Sequence, residues 1–261
     1  MNGLSMHRVR LLLRNHVVSE YRSMLTPFAA IAILILLQSL VTDSYAERSS
    51  GMYDGWFGAV LLFWGVIVAS RAFREMHDKT TNEAWFLLPA SSAEKTLARA
   101  LHVSVTFVLM QLAFFTLLAP VVELVTWIVA GKQHGLFNPF SAFTMSNWLN
   151  VLVAQAVFFL GSAWFRSLPL MKTVLSVALV TLVFFIVGSM LFGAIVSSAG
   201  PSAWSHLMLM LFGFTADNPG AVSDHLAGRG LGALLYYFVL PGFCYYVAWL
   251  RVKETQVSDG I

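Results

Sequence analysis

The sequence predicts an all-α integral membrane protein: an N-terminal cytoplasmic amphipathic helix, then six transmembrane helices, with both termini in the cytoplasm. Three observations predict it. The 261 residues are 58% hydrophobic and only 11% charged, against about 25% charged in a typical soluble domain. The apolar residues fall into runs close to the roughly 20 residues that a helix needs to cross the hydrocarbon. When the runs are threaded back and forth, thirteen of the sixteen Lys and Arg fall on one side, leaving Arg48, Lys132 and Arg229 on the other. That bias marks the cytoplasmic side. It also accounts for the net charge of +3 without a nucleic-acid partner.

Residues 1–23 precede any span. Met6, Val9, Leu13, Val17 and Met24 share one face at helical spacing, opposite Arg8, Asn15, Ser19 and Arg22. Such a stripe predicts an interfacial helix lying on membrane lipids, with Arg10 and Arg14 snorkelling to phosphates. Packing of the same stripe on a neighbouring subunit is the alternative. The first span, 24–42, has Pro27 in its opening turn, where a missing N–H does little harm. More than about twenty residues precede it, too many for the basic region of a cleaved signal, so it reads as retained.

The second span covers 55–73 and is expected to continue into water as Arg74–Lys79, with Arg71/Glu75 and Glu75/Lys79 paired at i,i+4. The loop 70–101 is the one long water-facing insert, and it holds five of the sixteen Lys and Arg. At its centre, Phe86-Leu87-Leu88-Pro89 is too short to span and too apolar for water. It predicts a greasy knob presented to another protein, or else one laid on lipid. Ser91-x-x-Glu94 is a capping box, so a helix starts there and carries Lys95 and Arg99 as surface charges.

The third span is 97–120. The apolar run to Gly131 would be roughly 50 Å long, against a core of about 30 Å. Pro120 is therefore the expected break, with Val121–Ala130 turning along the outer surface. Spans four and five, 148–165 and 173–196, flank a tight basic turn, Arg166–Lys172. An outer helical insert, 197–230, includes the apolar Pro201–Phe214, a length that fits a surface or re-entrant helix. The last span is 231–250, kinked at Pro241-Gly242 and followed by Arg251 and Lys253. Trp56, Trp127, Trp148 and Trp204 fall at the outer boundary, and Trp164 and Trp249 at the inner one, as an aromatic belt requires. No repeat divides the chain, which reads as one membrane domain.

Chemistry-bearing patterns are sparse. The chain has no His-Glu-x-x-His pair, no Gly-x-Ser-x-Gly elbow and no phosphate-binding Gly-x-x-x-x-Gly-Lys loop. Ser92-x-x-Lys95 matches a serine–lysine hydrolase pattern, but it overlaps the capping box and lacks the partner motifs. The seven histidines are scattered over both sides, and Cys244 is a lone thiol in an apolar run. Glu123 is the one acid inside an apolar run, which makes it either a structural partner at the bend or part of a substrate path. No catalytic, metal or cofactor residue is assigned, and the chain has no energy source of its own. A membrane-embedded enzyme would need a buried pair such as Glu123 with His134 or His206. A non-transporting assembly or sensor subunit would need only a packed subunit interface.

Leu87-Leu88-Pro89-Ala90-Ser91-Ser92-Ala93-Glu94-Lys95, followed by Arg99, resembles the loop between the second and third spans of bacterial type-2 ABC exporter permeases. The layout resembles that family as well: a cytoplasmic surface helix, six spans, the main inner loop after span two, and an outer insert between spans five and six. The resemblance implies an inner-membrane half-transporter that pairs with a second permease subunit, identical or related, and with separate P-loop ATPase subunits that bind ATP and Mg. It implies that Asn82, Glu83, Trp85, Phe86, Leu87, Leu88 and Pro89 make the coupling contact with the ATPase. The Arg71–Lys79 extension, with Arg74, would carry movement into span two. The implied substrate path, lined by spans two and five, would include Phe57, Phe63, Trp64, Phe184 and Phe185. Their apolar character favours a hydrophobic or amphipathic cargo.

Overall fold

The computed structural model describes residues 5–41, 51–78, 80–131, 135–199 and 232–258. Every regular element among them is helical. The helices are α1 (Met6–Val41), α2 (Gly51–Ser70), α3 (Arg74–His77), α4 (Asn82–Leu87), α5 (Ser92–Leu101), α6 (Phe107–Ala130), α7 (Ala142–Trp164), α8 (Pro169–Ala199) and α9 (Leu240–Ser258). Among the described residues five helical stretches are long and apolar enough to cross a membrane: Met52–His77, Ser92–Ala130, Ala142–Trp164, Pro169–Ala194 and Gly232–Gln256. Helix α1 adds a shorter apolar stretch, Thr26–Val41. The chain is thus an all-α protein of multi-pass membrane character. From residue 200 onward the expected 197–230 insert lies outside the described residues, as do Lys79, His134 and His206.

Several elements differ from the sequence expectation. Helix α1 is unbroken for 36 residues, with Pro27 inside it, where a surface helix and a separate span were expected. Its N-terminal part lies on the chain's own α5 and the π turn after it: of the expected stripe Val9 is buried and Met6 is exposed, and beside them the buried His16 ring stands 6.1 Å from that of His102. Pro120 does not end its helix either. The stretch Ser92–Ala130 is helical for 39 residues, and α6 stops only at Gly131, whose φ of 66° is the left-handed cap glycine allows. Inside a membrane a break would leave further backbone groups without partners, so a helix persists through a proline. The irregularity lies elsewhere, in a π-helical turn at His102–Thr106. A second π turn, Leu235–Val239, stands just before Pro241, where a kink was expected.

Helix α7 is the centre of the bundle, packed against α2, α8 and α9, while α1 lies on α5 and α6. Small residues make that possible. At Gly58 and Gly65 of α2, a β-carbon would press on the side chains of Asn147 and Gln155 respectively. At Gly161 of α7 it would overlap Thr173 of α8. Without a solvent driving force between helices in lipid, such close backbone approach supplies much of the association.

Two apolar clusters fill the bundle. One joins Phe28 and Ile35 of α1 to Tyr53, Phe57, Phe107, Phe115 and Val151. The other gathers Phe73, Met76, Trp85, Val103, Phe159 and Val252 around the end that carries α3 and α4. Helix α8 is the exception to this packing: no residue of its most apolar stretch is buried.

Candidate functional site, a braced helical tip

The loop 70–101 folds into a compact platform. Helix α2 ends at Ser70, and the chain turns through Arg71–Phe73 into the single turn of α3. The Asp78 carboxylate then accepts from the Thr80 backbone N–H (3.1 Å) and hydroxyl (2.9 Å), a local turn that redirects the chain into α4. Pro89 ends α4 after six residues, because the residue before a proline is pushed out of the helical region; Leu88 has ψ 124°. Ser91 starts α5 with the expected capping box. Its Oγ accepts from the Glu94 N–H (3.3 Å), and Glu94 Oε2 accepts from the Ser91 N–H (2.8 Å).

The buried side of α4 is held by charges that were expected to face water. Lys95 and Arg99 are only 1% and 3% exposed. They are one turn apart on α5, so they share the face that lies under α4. Lys95 Nζ donates to the Trp85 carbonyl at 2.7 Å and stands 5.4 Å from the Trp85 ring centroid. The Arg99 guanidinium lies 5.7 Å from the same ring and pairs with Glu75 at 2.6 Å. Glu75 therefore bridges α3 to α5; the expected Glu75/Lys79 pair lies outside the described residues. Trp85 is 2% exposed and packs edge-on against Phe73, with centroids 6.3 Å apart. Glu94 adds a further tie, accepting from the Ser5 backbone N–H at 2.8 Å, which fastens the start of α1 to the start of α5.

The residues expected at the docking contact thus divide. Trp85 faces inward and anchors the platform. Leu87 is 82% exposed, and Glu83, Leu88 and Pro89 are exposed beside it; Asn82 and Phe86 are half-buried. Arg74 is exposed on α3, where it lines two cavities.

The expected path residues are not brought together. Phe57 is buried inside the bundle, packed on Phe115 (5.5 Å, edge-on) and Phe137 (5.3 Å). Trp64 is half-buried and lines a cavity of about 330 Å³ between α2 and the π turn that follows α5. Phe63 on α2, and Phe184 and Phe185 on α8, point out of the bundle.

Glu123 is half-buried at the opposite end from α4, where it accepts from the Tyr53 hydroxyl at 2.7 Å. Ser39–Thr126 (3.0 Å) and Trp56–Gln38 (2.6 Å) complete a polar seam joining α1, α2 and α6 there. The sequence reading had passed over two buried glutamines. Gln111 donates to the Phe57 carbonyl at 3.0 Å, while Gln155 on α7 is fully buried with no hydrogen-bond partner for its amide. Their signal was only a lone amide in each apolar run.

Among known proteins, no family model, no curated protein and no solved structure matches this chain.

Proposed function

We propose that this chain is the transmembrane subunit of an ATP-driven ABC exporter of the bacterial inner membrane. In this reading it makes six spans, with α1 supplying the first through Thr26–Val41, and both termini lie in the cytoplasm. The observation that carries the proposal is the contrast within α4: Trp85 is locked into the chain while Leu87, two residues later, is presented to the outside. An exposed leucine on a mobile loop would be unremarkable. Held on a platform pinned by Lys95, Arg99 and Glu75, it forms a rigid apolar handle suited to a groove on a partner.

The partner is a P-loop ATPase that brings ATP and Mg, since the chain carries no phosphate-binding loop of its own. A second permease subunit, identical or related, would cover part of the α8 face left open among the described residues. The cargo is hydrophobic or amphipathic, consistent with the apolar outward residues Phe63, Phe184 and Phe185.

The test is purification of the tagged full chain from its native membrane in mild detergent. A P-loop ATPase identified by its sequence should co-purify, and Leu87→Asp or Leu88→Asp should release it while leaving the thermal transition of the permease unchanged. Full retention of the ATPase by both variants would remove α4 as the docking element. A wild-type chain that brings no ATPase, or that transports unaided in liposomes, would overturn the reading.

A further inference from the structure

A second feature lies beside the platform and stands apart from the transport reading. Between α3 and the turn that joins α7 to α8 there is a cavity of about 480 Å³. Ser70, Arg71, Arg74, His77, Asp78, Ser162 and Arg166 contribute its polar lining. We propose that this cavity binds a phosphate group, carried by the headgroup of an anionic lipid or as free phosphate.

Charge is the first argument. Three guanidiniums converge on the cavity from two parts of the chain, and a planar guanidinium is the side chain best matched to phosphate oxygens. Arg251, which pairs with Glu254 at 3.1 Å, also lies close enough to act electrostatically on His77, as Arg166 does. One acid is present, Asp78. The Thr80 backbone N–H and hydroxyl hold its carboxyl below the usual carboxylate range, so it stays charged but is occupied by its own turn. Three cations against one engaged anion leave the site positive.

Geometry is the second. His77 Nε2 donates to the Ser162 carbonyl at 3.1 Å, which fixes one wall of the cavity to α7. The other wall is the α7–α8 turn, where Leu168 takes a left-handed φ of 51° that a leucine rarely adopts. Pro169 then opens α8, so the positive end of a 31-residue helix borders the cavity.

Surroundings are the third argument, and they favour the lipid. Leu168, Met171 and Leu175 are exposed beside the cavity, at the start of the α8 face that no described residue covers. A headgroup held by Arg71 and Arg166 would leave its acyl chains along that face. Basic pockets between membrane helices recognise lipid headgroups in this way.

The experiment uses the full purified chain in detergent and counts bound lipid by native mass spectrometry. Phosphatidylglycerol and phosphatidylcholine are added in parallel. The wild type should prefer the anionic lipid by about tenfold or more, since each basic side chain near a phosphate contributes strongly. Arg71→Gln with Arg166→Gln should remove most of that preference. Lys132→Gln with Arg229→Gln, the same charge loss at residues the sequence places on the outer side, should change it by less than about twofold. Arg71→Lys with Arg166→Lys keeps the charge but loses the planar fork and should fall between the wild type and the glutamine pair, with every variant keeping the wild-type thermal transition. Displacement of the lipid by millimolar inorganic phosphate assigns the site to the phosphate alone; resistance to displacement assigns it to the lipid. A wild type that neither distinguishes the two lipids nor binds phosphate overturns the proposal. So does an outer pair that loses as much as the cavity pair, or a glutamine pair whose loss comes with a lowered thermal transition.

Discussion

The ammonium of Lys95 donates to the main-chain carbonyl of Trp85 at 2.7 Å, ten residues back along the chain and across a change of direction. This one bond closes α4 onto α5. It satisfies a buried cation and a carbonyl near the end of a short helix, two groups that would each be costly to leave unpaired. Lys95→Met keeps the length of the stem and deletes the donor. The expected result is a loss of about 1–3 kcal/mol, read as a lower thermal transition, together with faster proteolysis between residues 78 and 90. An unchanged cleavage rate would show that the platform is held without this bond.

Glu75 and Arg99 give a second, asymmetric prediction. Glu75 is about half exposed, whereas Arg99 is buried under Trp85. Removing the carboxylate takes its 2.6 Å ion pair from a buried guanidinium, while removing the guanidinium leaves a carboxylate that water can reach. Solvent screening at Glu75 keeps the coupling modest, about 1–2 kcal/mol. A double-mutant cycle with Glu75→Ala and Arg99→Met, measured by denaturant or thermal unfolding in detergent, should recover a coupling of that size. Strict additivity would dismiss the pair as incidental.

Gln155 should be better replaced. Its amide is fully buried and makes no hydrogen bond, and Met fills a similar volume without polar atoms. Gln155→Met is expected to stabilise the bundle by about 1 kcal/mol. A fall in the thermal transition would mean that the amide has a use, and the transport or binding assays would then be repeated on that variant.

The α7–α8 contact depends on Gly161. A methyl group there would overlap the Thr173 side chain, so Gly161→Ala should cost about 1–3 kcal/mol by forcing the helices apart. Thr173→Gly placed in the same chain should restore much of the loss. Failure of that rescue, with both single variants destabilised, would place the strain outside this contact.

What was legible in the sequence follows from how local each signal is. The capping box at Ser91 and Glu94 spans four residues and could be read directly, and so could the apolar runs that became the long helices. Pro120 misled because a proline breaks a helix in water more readily than in lipid. Lys95 and Arg99 read as surface charges because nothing in their own helix reveals that α4 folds over them. Their i,i+4 spacing, with an aromatic residue just upstream, was the available signal. The Tyr53–Glu123 bond joins residues 70 apart, and no local pattern encodes it. Trp85 and Phe57 were assigned outward roles because aromatic residues serve cores and contacts alike.

The helical stretch Ser92–Ala130 has one further consequence. At 39 residues it extends about 58 Å, from beneath Trp85 to beyond Glu123. A rod that long turns angles into distances: a tilt of about 5° at one tip displaces the other by roughly 5 Å. The wide turn at His102–Thr106 lies near the end with the tip, where a hinge gives the longest lever arm. A small nudge at one end would be felt at the far one as a stroke wide enough to part neighbouring side chains.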